Sequence, residues 1–356
     1  MVWEDSPNTK RIVDYFNKKY GQMVTPVALA KSLAVVSLRV KNVFPLNIIN
    51  VSPAGHFKTR TSSEQFGIFG SARIINFGSD FTIHSLAREF DKGRKIDNKC
   101  CLINDLTLLL SSKAKATKNR LINGLAELLS EYSYHYGDFQ KDMNIDAKIS
   151  IIGNITLESY MNYNKELIES TFGERCLTLF HFVTEKEEMD FNLTKQERLK
   201  MTFGDRLTLK IGSVDFVEHI PEINRIAMKW KALSLSPSGT RCFDRVMSVL
   251  GSNAVLNGRS KLVPDDFMVL EMLEGHLMNP LSPHLEIVRL ALQGLSHKEI
   301  CIKLGRDPVK YRPYISKVIA IYRRKGVIGL DRETDFEIEK NIDLREKGVD
   351  FGDENR

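Results

Sequence analysis

The strongest chemical candidates fall early in the chain. Gly55, Lys58 and Thr59 lie in Ser52-Pro53-Ala54-Gly55-His56-Phe57-Lys58-Thr59, directly after an apolar run at 44–51 and before a candidate helix at 60–67. A strand, a glycine-containing turn, Lys-Thr and a helix are the parts of a phosphate-binding loop. Gly55 permits a tight turn that brings backbone N–H groups onto phosphate oxygens. The helix N-terminus adds partial positive charge. In such a loop Lys58 reaches the terminal phosphates and the Thr59 hydroxyl ligates Mg²⁺. The candidate nucleotide-binding residues are therefore Pro53, Ala54, Gly55, His56, Phe57, Lys58 and Thr59. The strict spacing of these loops asks for glycine at positions 52 and 57, where Ser52 and Phe57 stand. An ordinary strand-to-helix turn is the alternative.

Two further pieces lie downstream in the order such a site needs. Lys99-Cys100-Cys101-Leu102-Ile103-Asn104-Asp105 is an apolar run ending in an acid. P-loop ATPases place such an acid beside the magnesium. A later run ends in Ile152-Gly153-Asn154-Ile155-Thr156, where a polar residue at the strand tip can orient an attacking water. Each piece alone could be a strand-end cap. Their order favours a site for ATP and Mg²⁺, with Asp105 and Asn154 as catalytic candidates.

Hydrophobic patterning supplies the scaffold for these residues. Helical spacing covers 8–43, with Ile12, Val13, Phe16 and Tyr20 on one face. Short apolar runs at 44–51, 72–77, 99–103, 148–153 and 176–183 read as strands. A long helix at 117–133 carries Leu121, Leu125, Leu128 and Leu129. Short continuous apolar strands alternating with helices predict an α/β fold with a parallel sheet covered on both sides. After residue 214 the strand signal stops and 222–278 reads as helices broken at 234–238. Pro280 to Pro283 forms a linker, and the segment from Asp331 carries ten acidic against five basic residues.

The composition fits this. The chain has 356 residues, 42% hydrophobic and 27% charged, with formal net charge +6. No apolar run reaches the ~18 residues that span a bilayer, so no membrane partner is expected. The polar, acidic start gives no secretory signal, and a cytoplasmic location is expected. The five cysteines include no CxxC pair, which argues against a disulfide framework or a zinc site.

These motifs together resemble the AAA+ ATPases, and within them the minichromosome maintenance (MCM) helicases. That family's loop has the form GDPGxAK[ST], which Gly55, Lys58 and Thr59 match, with Ser52 at the first glycine and Pro53 one place early. The family's second motif, an apolar run followed by Asp-Glu, aligns with Cys101-Leu102-Ile103-Asn104-Asp105. The resemblance thus puts Asn104 at the magnesium-side acid, beside Thr59, and Asp105 at the catalytic Glu. In an alternative register Asp105 is the magnesium-side acid. In either register the departure implies slow hydrolysis. Asn154 fits the sensor-1 position. Gly173-Glu174-Arg175, before the last core strand, resembles the arginine finger that reaches a neighbouring subunit; a surface arginine is the alternative. Arg241, in Gly239-Thr240-Arg241, resembles the sensor-2 arginine that touches γ-phosphate, with Arg245 a weaker candidate. Val263-Pro264-Asp265-Asp266 resembles the ending of the family's helical lid. The implied organisation is an N-terminal helical segment at 1–40, a nucleotide-binding AAA+ core at 41–213 and a lid at 214–279. A winged helix-turn-helix domain follows at 284–335 and an acidic tail at 336–356.

The C-terminal module rests on its own residues. A helix at 285–293 ends at Gly294, and Ser296-His297-Lys298-Glu299 is a capping box. A second helix at 298–304 stops at Gly305. A third spans 309–323, with Pro313 predicting a kink or a start near Tyr314. Gly326-Val327-Ile328-Gly329-Leu330 suits a wing strand. Residues 285–330 hold ten basic residues against three acidic ones, a net +7 that exceeds the charge of the whole chain. Lys310, Tyr311, Arg312, Lys317, Arg323 and Arg324 are the candidate DNA-binding residues. Protein contacts with merely solvated charges are the alternative.

The sequence thus leads to the expectation of an AAA+ ATPase acting on DNA and assembling as a homo-oligomer, ring or filament. One alternative is a DNA-binding regulator that uses nucleotide as a switch with weak or no hydrolysis. Another is a scaffold with a vestigial loop.

Overall fold

The computed structural model describes residues 3–78, 96–111, 115–137, 142–183, 185–234, 238–277, 285–292 and 294–324, with Ser85, Arg88 and Glu89 besides. The chain divides into two compact units, residues 1–227 with 236–277 and residues 228–235 with 278–356. The first unit is α/β. It begins with α1 (Pro7–Tyr20), α2 (Thr25–Ser37), β1 (Asn47–Ser52), α3 (Lys58–Phe69), β2 (Ile74–Asn76) and β3 (Lys99–Ile103). It continues through α4 (Thr107–Ser111), α5 (Lys115–Glu131), β4 (Ser133–Gly137), β5 (Asp142–Asp146), β6 (Ile149–Thr156), α6 (Leu157–Glu169) and β7 (Cys176–Phe180). Then come α7 (Glu185–Leu193), α8 (Lys195–Lys200), α9 (Ile220–Leu233, of which 228–233 count with the second unit), α10 (Gly239–Leu256) and α11 (Pro264–Glu274).

Five strands form one parallel sheet in the order β2-β3-β6-β1-β7. They are the five runs that the patterning marks as strands. β1 is buried at all six positions, as a strand covered on both faces must be. On one side α2 packs across β1, β3 and β6. On the other, Leu125, Leu128 and Leu129 of α5 join Ile49, Val51, Ile103 and Ile151 in one core cluster. The polar residues of β1 are individually paired: Asn47 Oδ1, for one, accepts the Ile151 N–H at 2.9 Å.

The topology determines where a site can form. From β1 the chain runs through α3 to β2, past β6 and β3 toward one edge. From β6 it runs through α6 to β7, past β1 toward the other edge. Right-handed crossovers in opposite directions lie on opposite faces. They open a crevice at the carboxyl ends of β1 and β6.

One element is not legible in the apolar pattern. β4 and β5 form an antiparallel hairpin between α5 and β6, with Ser133 opposite Asp146. It packs on α5 at Gly124, where a Cβ would come within 2.7 Å of the Tyr134 ring. In the segment 214–279, α10 and α11 pack against α2. Asp266 is pinned there by Arg259 at 2.6 and 2.8 Å and by Asn253 at 2.7 Å. Asn253 Oδ1 in turn accepts from Thr9 Oγ1 of α1 at 2.5 Å.

The second unit contains α12 (Leu285–Leu292), α13 (His297–Lys303) and α14 (Pro308–Arg324). Ile287, Val288, Leu290, Ile300, Cys301, Ile315, Val318 and Ile319 are buried. The capping box is present: Ser296 Oγ accepts the Glu299 N–H at 3.4 Å, and Glu299 Oε2 accepts the Ser296 N–H at 2.8 Å. α14 starts at Pro308 with Pro313 inside it, which corrects the expected start near Tyr314. The reason is local. Proline removes one N–H, and the carbonyl it would have served belongs to Val309, an exposed residue. Asp307 Oδ1 secures the first turn by accepting the Val309 N–H at 2.8 Å. The expected wing at 326–330 and the acidic tail lie outside the described residues. Among the described residues no helix is long and apolar enough to cross a membrane.

Candidate functional site

The loop at 53–57 sits at the carboxyl end of β1, in the crevice. Gly55 has φ +85°, and a Cβ added there would meet no atom within 4 Å, so its backbone conformation and not crowding asks for glycine. Phe57 has φ 61° and ψ 12°, in the left-handed region, at the N-cap of α3. It supplies the backbone shape for which strict loops use glycine. Such a conformation costs a bulky residue about 1–2 kcal/mol. The Phe57 ring packs 4.5 Å from Phe191 and 5.2 Å from Tyr20, centroid to centroid. Two such pairs, at about 0.5–1.5 kcal/mol each, offset that strain. No side chain caps α3, which leaves its first N–H groups to an anion.

Lys58 closes the loop on itself. Its Nζ donates to the carbonyls of Ser52 and Pro53, both at 2.7 Å. Burial lowers its pKa to about 8, and the charge of Asp105 acts the other way. Lys58 is therefore a cation at neutral pH, held on neutral carbonyls with an acid in electrostatic reach. Thr59, in the first turn, is exposed.

Asp105 is held by a turn that rests on β6. Its Oδ1 accepts the Thr107 N–H at 2.8 Å. The next residue, Leu106, donates its N–H to the Asn154 carbonyl at 2.8 Å. Leu106 fits because residue 153 is glycine: a Cβ there would lie 2.6 Å from Leu106 Cδ1. Asn104 donates its N–H to Gly78 O at 2.8 Å, while its buried Oδ1 has no hydrogen-bond partner. An orphaned amide oxygen beside a carboxylate suits a hard cation or its bound water. Among the described residues no three His, Cys, Asp or Glu side chains cluster to hold a metal. A cation here would thus depend on a ligand for much of its coordination.

Asn154 is fully buried beneath the loop helix and not at an open strand tip. Its Nδ2 donates to Ser62 Oγ at 3.1 Å, and its Oδ1 accepts from Asn50 Nδ2 at 3.3 Å and from Lys31 Nζ at 3.2 Å. Lys31 and its surroundings are absent from the candidates that the sequence motifs select. Lys31 is fully buried in α2 and also donates to Lys58 O at 2.9 Å, Thr61 Oγ1 at 2.9 Å and Ser62 Oγ at 3.0 Å. Burial and the nearby Lys58 charge lower its pKa well below the usual lysine range. A legible signal exists: Lys31 is the only charge in TPVALAKSLAVVS, a helix otherwise without an ionisable side chain. His181, at the end of β7, completes the set. Its Nε2 lies 2.6 Å from His56 O, and its Nδ1 2.9 Å from Asn50 Oδ1. Burial lowers its pKa to about 3. Both neighbours are oxygen acceptors, and a neutral imidazole has one N–H to give to one of them.

The two arginines are brought together, at the other end of the sheet. Arg175 directly precedes β7, and it lines one pocket with Arg241, Arg245, Asp244, Asn47 and Phe44. Asn47 starts β1 and Ser52 ends it, so about 16 Å of strand separates this pocket from the loop. Arg175 is anchored on Ser130 Oγ and on Thr171 O at 2.6 Å. Burial and the neighbouring Arg241 lower its pKa. Arg241 sits in the first turn of α10, where its N–H donates to Ser238 Oγ at 3.2 Å. Arg245 is buried and bonded to Glu174 O, a supporting role. Neither Arg175 nor Arg241 approaches Lys58 of the same chain.

In the second unit the DNA-binding candidates divide. Lys310 and Lys317 are exposed and seven residues apart, on one face of α14. Arg312 is exposed about 200° around the helix from Lys310. Arg306 lies over the Tyr311 ring, 5.0 Å from its centroid. Arg323 is half-buried, and Arg324 lies in α14 with its side chain outside the described residues.

A scan against protein-family models and a search of curated proteins each found no match. The class of fold therefore rests on the structure: α/β, with a five-stranded parallel sheet compatible with a P-loop-type core.

Proposed function

We infer that this protein is a P-loop ATPase of AAA+ type, resembling the MCM core, that couples ATP binding and hydrolysis to DNA binding and assembly. The observation that carries the reading is Lys58. Its ammonium closes a loop at the switch point of a parallel sheet, with Asp105 in electrostatic reach and an uncapped helix behind. In this reading the terminal phosphates take Lys58 from its two carbonyls, and the N–H groups at the start of α3 hold their oxygens. Thr59, Asn104 and Asp105 would hold Mg²⁺, which when bound neutralises charge on the phosphates. Asp105 orients the attacking water. Asn154 acts from beneath, by fixing the turn that carries Asp105.

Arg175 and Arg241 lie together and far from their own loop, which supports their use by the next subunit. A head-to-tail assembly, ring or filament, would present both to the phosphates bound on a neighbour's Lys58. DNA contact is assigned to the second unit, through Lys310 and Lys317 with Tyr311, Arg312, Arg323 and Arg324 around them.

Asn104-Asp105, in place of the Asp-Glu of the resembling family, favours a second reading, a nucleotide-switched DNA-binding regulator with weak or no hydrolysis. ATP turnover with and without DNA, in the native protein and Lys58→Ala, separates the two. DNA-stimulated turnover lost in Lys58→Ala supports the ATPase. Mg-ATP binding that changes assembly without turnover supports the switch. Absence of both binding and turnover overturns both.

A further inference from the structure

The most unusual group in the first unit is Lys31. It is fully buried, and among the described residues no carboxylate pairs with it. Its four neighbours are neutral oxygens: Lys58 O, Thr61 Oγ1, Ser62 Oγ and Asn154 Oδ1. Three of them belong to the first turns of α3, the helix that would receive the phosphates at its other side. A buried cation without a counter-ion is strongly disfavoured in a protein interior. The other ionisable groups facing it offer no compensation. Lys58 repels it from α3, and His181 faces the same network from β7 as a neutral imidazole with His56 beyond it. Asp105 acts on Lys58.

We propose that the counter-ion of Lys31 is the phosphate group of the bound nucleotide, so that Lys31 is neutral in the free protein and takes up a proton when nucleotide binds. The inference rests on the nucleotide-site reading above and adds a regulation of that site. Negative charge placed over the loop favours the charged form of the amine one helical turn below. The reverse follows by reciprocity: a protonated Lys31 strengthens nucleotide binding. Lys31 is thus a positioning residue that makes the first turn of α3 more electropositive only when phosphate is present. The proton comes from solvent and returns to it on release.

Calorimetric titration with Mg-ATP at pH 7 in buffers of different ionisation enthalpy counts the protons. At pH 7 Lys58, with its pKa near 8, is already mostly charged, and so contributes little. The expected result is an uptake approaching one proton per nucleotide in the native protein, lost in Lys31→Met while nucleotide still binds. The Kd of the native protein should then weaken by up to about tenfold per pH unit through the window where Lys31 titrates, against a flatter profile in the variant. His56 and His181 are the other neutral groups near the loop, so His56→Gln and His181→Gln are titrated as well and should retain the uptake. Equal uptake in native protein and a folded Lys31→Met would overturn the proposal. If Lys31→Met fails to fold, the two histidine variants decide: uptake retained in both supports Lys31, and uptake lost in either assigns the proton to that histidine. Tight binding without uptake in the native protein overturns the proposal and leaves the nucleotide site standing. Absence of binding overturns both.

Discussion

The two ends of β1 carry cations in opposite arrangements. At the carboxyl end Lys58 and Lys31 turn inward, onto loop carbonyls and helix oxygens, with one carboxylate near. At the amino end Arg175 and Arg241 line a pocket at the start of the strand. In the proposed function the first arrangement is a receptor for phosphate. The second would then be a pair of donors without phosphate of their own, since some 16 Å of strand lies between. In this reading one chain holds two halves of different sites. Joining the halves takes a second copy in the same orientation, head to tail.

The most severe test of that contrast is to remove each half and then mix. Arg175→Ala should lower turnover on the order of 10³-fold while leaving Mg-ATP binding intact. Lys58→Ala should lose binding as well. A one-to-one mixture of the two inactive variants should regain about a quarter of the native rate, because random neighbours then place an intact loop against an intact Arg175 in that share of interfaces. A mixture as inactive as its parts would show that Arg175 serves its own chain or none.

Next in size is the support of Asp105. Gly153→Ala pushes a Cβ into Leu106, which should cost about 1–3 kcal/mol in denaturant unfolding and reduce turnover. Adding Leu106→Ala should recover part of the turnover, the non-additivity expected of groups in contact. Full additivity would mean that the Leu106 packing does not position the acid.

A pH profile probes the carboxyl-end half alone. The pKa of Lys58 is lowered to about 8, so its charge is present below that pH and lost above it. Phosphate binds the charged form. Nucleotide affinity should therefore fall as pH rises through about 8, read by calorimetry, and Lys58→Arg should flatten that decline. The second unit is tested apart from both ends of the sheet. Lys310→Ala with Lys317→Ala should reduce the slope of log affinity against log salt by about 1.8 for duplex DNA, if both side chains meet phosphates. An unchanged slope would remove those two lysines from the interface.

The smallest effect is expected at Phe57. Phe57→Gly relieves the left-handed strain and forfeits the Phe191 and Tyr20 pairs, so the net change in unfolding free energy should stay within about 1 kcal/mol. A larger loss would mean that the aromatic cluster, and not the loop backbone, holds the site together.

Several features of this protein were decided by sequence alone. The five strands, the loop with Gly55, Lys58 and Thr59, the run that ends at Asp105 and the capping box at Ser296 all depend on neighbours a few residues away. Local backbone preference and apolar continuity express such features directly. Other features depended on tertiary contacts. Phe57 in place of glycine reads as a defect until Tyr20 and Phe191, far away in sequence, are seen against its ring. Lys31 reads as an interruption of an apolar helix until the oxygens of α3 and β6 surround it. Asn154 reads as a strand tip until it is found buried in that same network. Arg175 and Arg241 are 66 residues apart, and only the packing of α10 beside the start of β7 puts them in one pocket. Burial and hydrogen-bond satisfaction are properties of the assembled interior, and no short window of sequence contains the partners that decide them.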